Sequence, residues 1–316
     1  MANTTDTGNQ YRDAIAALLS AAGFQCRTEV LLGSKKVDLV AKKRTQIEGE
    51  QTLLIETKCY TGTLDKDECI KFGYEYRQLI EKGHGDRAWL VSNSDISAAG
   101  KTLLDGDKRL SSFTTRELQR RLFNAEGYLQ ELIDQYERDE VEKFYIQPHT
   151  KNNEKLLDVV LSWVEESSSE PLAIIGGYGI GKSTFARAIA VKFARDALKS
   201  PTHRIPLLVP LGEVFDNQNI EGLMGKVFAS QHRIEGYFYP LFETLNASGQ
   251  FLIIFDGFDE MKHGMTIARF ERNVSELMRL DKASAKLLVL GRDTAFQTDV
   301  EFRSIIQGQS RRRLGI

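Results

Sequence analysis

Apolar positions Tyr11, Ile15, Leu18 and Leu19 recur at three- and four-residue steps, which predicts a helix over residues 10–22 that Gly23 ends. The pattern then shifts to shorter runs. Strands are predicted over 24–30, 37–41 and 51–58, a helix over 65–82 closed by Gly83, a buried strand over 87–92 and a helix over 97–104. Residues 124–144 return to helical spacing, with Tyr128, Leu129, Leu132, Ile133 and Tyr136 forming an apolar stripe in a polar stretch. Further on, the runs 172–175, 204–211, 251–255 and 286–290 are apolar, separated by helical segments, one of which begins at Lys182. Short strands without polar alternation are buried on both faces, as in a parallel sheet with helical crossovers. Both halves of the chain read as α/β.

Composition sharpens the division. The chain has 316 residues, and all six prolines lie at Pro148 or later. Two domains are predicted, over 1–123 and 145–316, joined by a helical linker over 124–144. The 42 Lys+Arg balance 44 Asp+Glu, a net charge of -2, so charge favours no class of partner. Cys26, Cys59 and Cys69 form no CxxC pair and fit a reducing compartment. The first residues lack the basic and apolar regions of a signal peptide, and no apolar run reaches the roughly 18 residues of a membrane span. The expectation is a cytoplasmic protein with no membrane partner.

One motif is strong. Gly176-Gly177-Tyr178-Gly179-Ile180-Gly181-Lys182-Ser183 matches G-x-x-x-x-G-K-[ST], and it lies between the apolar run 172–175 and an amphipathic helix. Gly176, Gly177, Gly179 and Gly181 let backbone N–H groups turn inward around phosphate, and the helix N-terminus, through Thr184, adds its positive end. Lys182 is assigned to the β- and γ-phosphates of ATP, and the Ser183 hydroxyl to Mg²⁺. A second run ends in a carboxylate at Asp256 and continues Gly257-Phe258-Asp259-Glu260. Asp256 is assigned to the metal and Glu260 to the attacking water, with Asp259 as a supporting or alternative acid. Arg292, just beyond the run 286–290, is placed to sense the γ-phosphate.

These residues resemble the NACHT family of signal-transducing P-loop ATPases. A small residue after the metal-binding acid followed by two more acids carries the likeness, together with Phe144-Tyr145-Ile146-Gln147-Pro148, the run 204–215 and the residues around Arg292. Asp293 departs from the pattern, which would place proline there. The resemblance covers about 144–297. It implies ATP-dependent homo-oligomerisation, and lids and a sensor region beyond the last residue.

The first domain carries a second constellation. In Leu54-Ile55-Glu56-Thr57-Lys58, the two-residue strand period puts Glu56 and Lys58 on one face, about 7 Å apart. Asp38, on the preceding strand, can lie across from them. Asp38 and Glu56 are assigned as metal ligands and Lys58 to the water or the developing charge on a phosphodiester. Lys35, Lys36, Lys42, Lys43 and Arg44 flank Asp38 and could hold a DNA backbone, or form a solvated strand edge. Cys59 should face away from Lys58 as a small buried residue. Tyr60, Tyr74 and Tyr76 read as core or surface aromatics. The five histidines are scattered and form no ligand pair.

The order of helix, strand with acid, strand with E-x-K, helix and strand resembles the restriction-endonuclease fold, specifically the Mrr-like nucleases, over about 8–110. In that family D…(D/E)-x-K carries catalysis, which implies the same for Asp38, Glu56 and Lys58. An acid on the first helix acts in some relatives, and Asp13 is the acid available there. Together the two resemblances imply an antiphage effector: a phage-derived ligand is sensed by a C-terminal region absent from these 316 residues, ATP-bound protomers assemble, and clustered nucleases cut DNA. Two other readings stand beside it. One is an ATP-dependent restriction or repair nuclease that moves on DNA. The other is a nucleotide-binding scaffold with an inactive nuclease fold.

Overall fold

A computed structural model of the chain describes residues 4–45, 49–167, 170–214, 219–231, 234, 236–262, 266–292 and 312–315. Asp293 and two of the five histidines, His232 and His263, lie outside the described residues. The chain divides into two compact units, Met1–Leu122 and Phe123–Ile316.

The first unit contains α1 (Thr4–Ala21), β1 (Gln25–Leu32), β2 (Lys35–Thr45), β3 (Gly49–Lys58), α2 (Lys66–Glu81), β4 (Arg87–Ser92), α3 (Ala98–Asp105), β5 (Leu110–Thr114) and α4 (Thr115–Leu122). Its sheet runs β1-β2-β3-β4-β5, antiparallel across the first three strands and parallel from β3 to β5. Asp65 starts α2 by accepting from the Glu68 N–H at 2.9 Å, which satisfies one of the orphan donors of the first turn. Leu54 of β3 and Ala88 and Leu90 of β4 share a core with Cys69, Phe72, Tyr76 and Leu79 of α2. The two-residue period of β3 therefore carries Glu56 and Lys58 to the same side as Leu54, facing α2. Residues 110–122 form a strand and helix that periodicity did not announce. Leu110–Thr114 is five residues long with two serines, too short and polar a run to stand out.

The second unit begins with α5 (Glu126–Arg138), α6 (Val141–Phe144) and α7 (Leu156–Glu165). Then come β6 (Leu172–Ile175), α8 (Lys182–Lys199), β7 (Ile205–Pro210), α9 (Leu211–Val214), α10 (Ile220–Met224) and a π-helical segment, Gly225–Gln231. The last elements are α11 (Tyr239–Ala247), β8 (Phe251–Asp256), α12 (Phe258–Lys262), α13 (Ile267–Met278), β9 (Lys286–Gly291) and β10 (Arg312–Gly315). The sheet order is β10-β6-β9-β8-β7, parallel at every pairing. β6 and β9 are buried at every position, as their unbroken apolar runs require. The four strands read from sequence are β6 to β9; α7 and β10 were not.

The helical stretch 124–144 packs within the second unit rather than bridging two domains. Tyr128, Leu129, Ile133 and Tyr136 are buried, and the Tyr128 hydroxyl accepts from the Leu208 N–H at 3.0 Å. Asp139 and Glu137 form ion pairs with Arg187 and Arg195 of α8. The reason is general: an apolar stripe of that width is costly in water, and the flank of α8 covers it.

Candidate functional site

Each unit gathers one set of the residues singled out above. In the first unit Asp38 lies one step beyond Leu39 and Ile55, the last paired residues between β2 and β3. Its Oδ2 accepts from the Thr57 N–H at 2.8 Å and the Thr57 hydroxyl at 2.9 Å. Glu56 Oε1 lies 3.2 Å from the Lys58 ammonium, which also reaches Glu68 at 3.5 Å. Glu56 Oε2 accepts from the Tyr76 hydroxyl at 2.5 Å. Lys35 Nζ is 2.6 Å from Glu75 and 3.8 Å from Glu56 Oε2, and it lies over the Tyr76 ring at 5.4 Å. Burial acts to lower the Lys58 pKa, but the charge and hydrogen bond of Glu56 outweigh it and the ammonium is stabilised. Burial and then Glu56 push the Tyr76 phenol far up, so it serves as a donor.

Asp38, Glu56 and Lys58 thus come together, half-buried, at the end of β3 that faces α2. Among the described residues no three His, Cys, Asp or Glu side chains cluster as a metal cage. Two carboxylates are a hard, anionic donor pair of the kind Mg²⁺ takes while keeping waters and phosphate oxygens as its other ligands, so the residues present fit that ion. Asp13 is exposed on α1 and paired with Arg12 at 2.8 Å. The flanking cations are largely engaged within the unit, Lys36 with Glu29, Lys42 with Glu50, and Lys43 with the Ala22 carbonyl. Cys59 is exposed rather than buried, because β3 ends at Lys58 and no sheet continues past it. Periodicity missed the contribution of α2. Tyr76 sits on its apolar stripe with Cys69, Phe72 and Leu79, and a buried phenol needs a partner, which was the available signal.

In the second unit the loop between β6 and α8 and the ends of β8 and β9 surround a cavity of about 330 Å³. Gly179 (φ 74) and Gly181 (φ 88) have left-handed backbones that a side chain would strain. Gly181 is the residue before α8, whose N-terminus has no side-chain cap, so none of the chain's own capping side chains competes with an anion there. Lys182 donates to the carbonyls of Gly176 at 2.9 Å and Gly177 at 2.6 Å, folding back over the loop. Ser183 hydrogen-bonds to the Asp256 carboxylate, which also accepts from the Gly257 N–H at 3.0 Å. Burial raises the Asp256 pKa and the Ser183 bond lowers it; Glu260 and Asp259 add to the rise. Such a carboxylate invites a cation.

Thr184, Asp259, Glu260 and Arg292 line the same cavity. Asp259 is buried, accepts from the Arg292 N–H at 3.0 Å and pairs with its Nε at 2.9 Å. The Arg292 guanidinium also lies over the Tyr178 ring at 4.7 Å. A helix N-terminus, a lysine, a hydroxyl and an acid around one cavity fit a nucleoside triphosphate with a divalent metal. Gly212, after β7, was not anticipated. A Cβ there would stand 2.1 Å from Glu260 Oε2.

A WD repeat-containing protein of Nostoc sp., itself described as uncharacterised, is 26% identical over 258 residues, covering 73% of this chain and 17% of that protein. The chain thus spans about a sixth of the length of the curated relative it matches. A crystal structure of a protein of unknown function, AF1548, is 21% identical with a TM-score of 0.29, over 33% of this chain and 57% of that one. Residues 5–122 match the family described as restriction endonuclease, and residues 170–305 match the NACHT domain. The chain therefore joins an N-terminal domain of the Mrr-type restriction-endonuclease family to a P-loop NTPase domain of the NACHT family.

Proposed function

We propose that this protein is an antiphage effector in which ATP binding by the NACHT domain drives self-assembly and thereby activates a metal-dependent DNA endonuclease in the N-terminal domain. The observation that carries this reading is the convergence, within each unit, of residues far apart in sequence. Asp38 meets Glu56 and Lys58 beside α2, and residues 178–184 meet Asp256, Asp259, Glu260 and Arg292 around one cavity.

In the nuclease unit, Asp38 and Glu56 would hold Mg²⁺, and Lys58 would orient the attacking water or offset charge on the phosphate. Bound there, Mg²⁺ supplies Lewis-acid polarisation of the phosphodiester and a more acidic water. In the NACHT unit, the N–H groups at the start of α8 would bind the phosphates of ATP, and Lys182 would exchange its two carbonyl partners for phosphate oxygens. Ser183 and Asp256 would hold its Mg²⁺, Glu260 would position water, and Arg292 would report the γ-phosphate. Assembly raises the local concentration of a nuclease that is weak as a monomer. A phage-derived ligand, recognised by a region following residue 316, would be the trigger. The WD repeats in the name of the Nostoc relative are compatible with a repeat-built sensor.

The test is cleavage of plasmid DNA with Mg²⁺ and ATP, with assembly followed by sedimentation. Lys182→Ala should lose nucleotide binding, assembly and cutting together. Lys58→Ala should lose cutting by about 100- to 1,000-fold while still assembling. Assembled protein that never cuts DNA, or unimpaired cutting by Lys182→Ala, sinks the proposal.

A further inference from the structure

We propose that Tyr76 is a positioning residue of the nuclease site: its hydroxyl, delivered by α2, fixes the Glu56 carboxylate for a divalent cation and keeps Lys35 from neutralising it. This rests on the reading of Asp38 and Glu56 as cation ligands.

Two donors face the same oxygen. The Tyr76 hydroxyl is 2.5 Å from Glu56 Oε2, and the Lys35 ammonium is 3.8 Å from it. They have opposite consequences for a cation. A phenol is neutral, so it orients the carboxylate and leaves its charge available. A second ammonium in direct contact, added to Lys58 on the other oxygen, would form a further ion pair that a metal must break. The structure resolves the competition in favour of the phenol. Tyr76 is fully buried, and its ring packs against Phe72 with centroids 4.5 Å apart, so the hydroxyl cannot swing away. Lys35 is given other partners on the same helix, the Glu75 carboxylate at 2.6 Å and the face of the Tyr76 ring. Consecutive residues of α2 thus supply the clamp on Glu56 and the resting place of the competing lysine. On the other oxygen, Lys58 stays within 3.2 Å, as its assigned part requires.

The role differs from that of a core tyrosine in what its loss would do. Removing the hydroxyl leaves ring packing intact but frees Oε2, and Lys35 needs to move only about an ångström to take the vacant bond. Outer partners that orient metal ligands typically change affinity by about 10- to 100-fold when removed.

The experiment is Mn²⁺ binding to the full chain, without DNA or nucleotide, followed by electron paramagnetic resonance. Glu56→Gln defines the component that belongs to this site. Tyr76→Phe should weaken that component about tenfold while melting within about 4 °C of the parent. Adding Lys35→Ala to Tyr76→Phe should recover part of the loss, a response a purely structural tyrosine would not give. Affinity of Tyr76→Phe equal to the parent, with the Glu56-dependent component present, overturns the inference and leaves the nuclease reading standing. If the parent shows no Glu56-dependent component and cuts no DNA, the nuclease reading fails and this inference with it. Should Tyr76→Phe not fold, a ring-fluorinated tyrosine at position 76, which strengthens the donor without changing its shape, must alter Mn²⁺ affinity; an unchanged value overturns the inference.

Discussion

Burial at the end of β8 raises the pKa of Asp256, and the bond from Ser183 only partly offsets that. A carboxyl with a higher pKa folded than unfolded binds protons more tightly in the folded state. Its contribution therefore falls as pH rises from the ordinary aspartate value, about 3.9, and the penalty is complete once pH has passed the raised value. Asp256→Asn removes that penalty. The variant should melt higher than the parent at neutral pH without nucleotide, and the gain should vanish as pH is lowered through the ordinary carboxyl range. It should also lose Mg²⁺-dependent nucleotide binding. Thermal melts across pH with and without Mg²⁺ and ATP check both; a variant less stable than the parent at every pH contradicts the argument. Under the proposed function, a cation bound beside Asp256 would repay the desolvation that burial imposes.

At the scale of elements, two junctions carry consequences. The start of α9 passes so close to Glu260 that a Cβ at position 212 would lie 2.1 Å from Oε2 and 3.1 Å from the Glu260 Cβ, so a side chain there must push the carboxylate aside. Gly212→Ala should displace Glu260 and lower ATP hydrolysis by about 100-fold, the usual consequence of misplacing a catalytic group by an ångström. Nucleotide binding should stay within about twofold, because residues 178–184 are untouched. Equal hydrolysis by parent and variant would remove Glu260 from its assigned part. The other junction is α5. Its buried Tyr128 serves the Leu208 N–H of β7, and Glu137 bonds Arg195 of α8. A fragment starting at residue 123 should melt cooperatively, whereas one starting at 145 should lose that transition. Circular dichroism of the two fragments decides the matter.

For the whole molecule, the division into Met1–Leu122 and Phe123–Ile316 predicts two calorimetric transitions. A ligand stabilises only the unit that binds it. ATP with Mg²⁺ at about 100 times its Kd adds about 2.7 kcal/mol to the NACHT unit and should raise that transition alone. A single transition that shifts as one would show the units to be thermodynamically coupled. No described helix is long and apolar enough to cross a membrane.

The α/β class of both units, the strands β6 to β9 and the glycine-rich loop before α8 are legible in the sequence alone, as are Asp38 and the E-x-K run as candidates. Those features are local: a two-residue period, an apolar run or a glycine at a fixed offset is visible without knowing what lies opposite. Tertiary structure decided the rest. Whether 124–144 bridges or packs depends on a surface of α8 more than forty residues away, and Asp13 and Cys59 lay where no neighbouring residue type could announce it. Tyr76 and Lys35 come beside Glu56 only because α2 folds across β3, and Gly212 meets Glu260 only in the folded chain. The balanced charge concealed the same thing. Of 42 cationic and 44 anionic side chains, Lys35, Lys36 and Lys42 near Asp38 are paired with Glu75, Glu29 and Glu50, so what a substrate would meet is set by the pairing, which depends on distance, and not by the count.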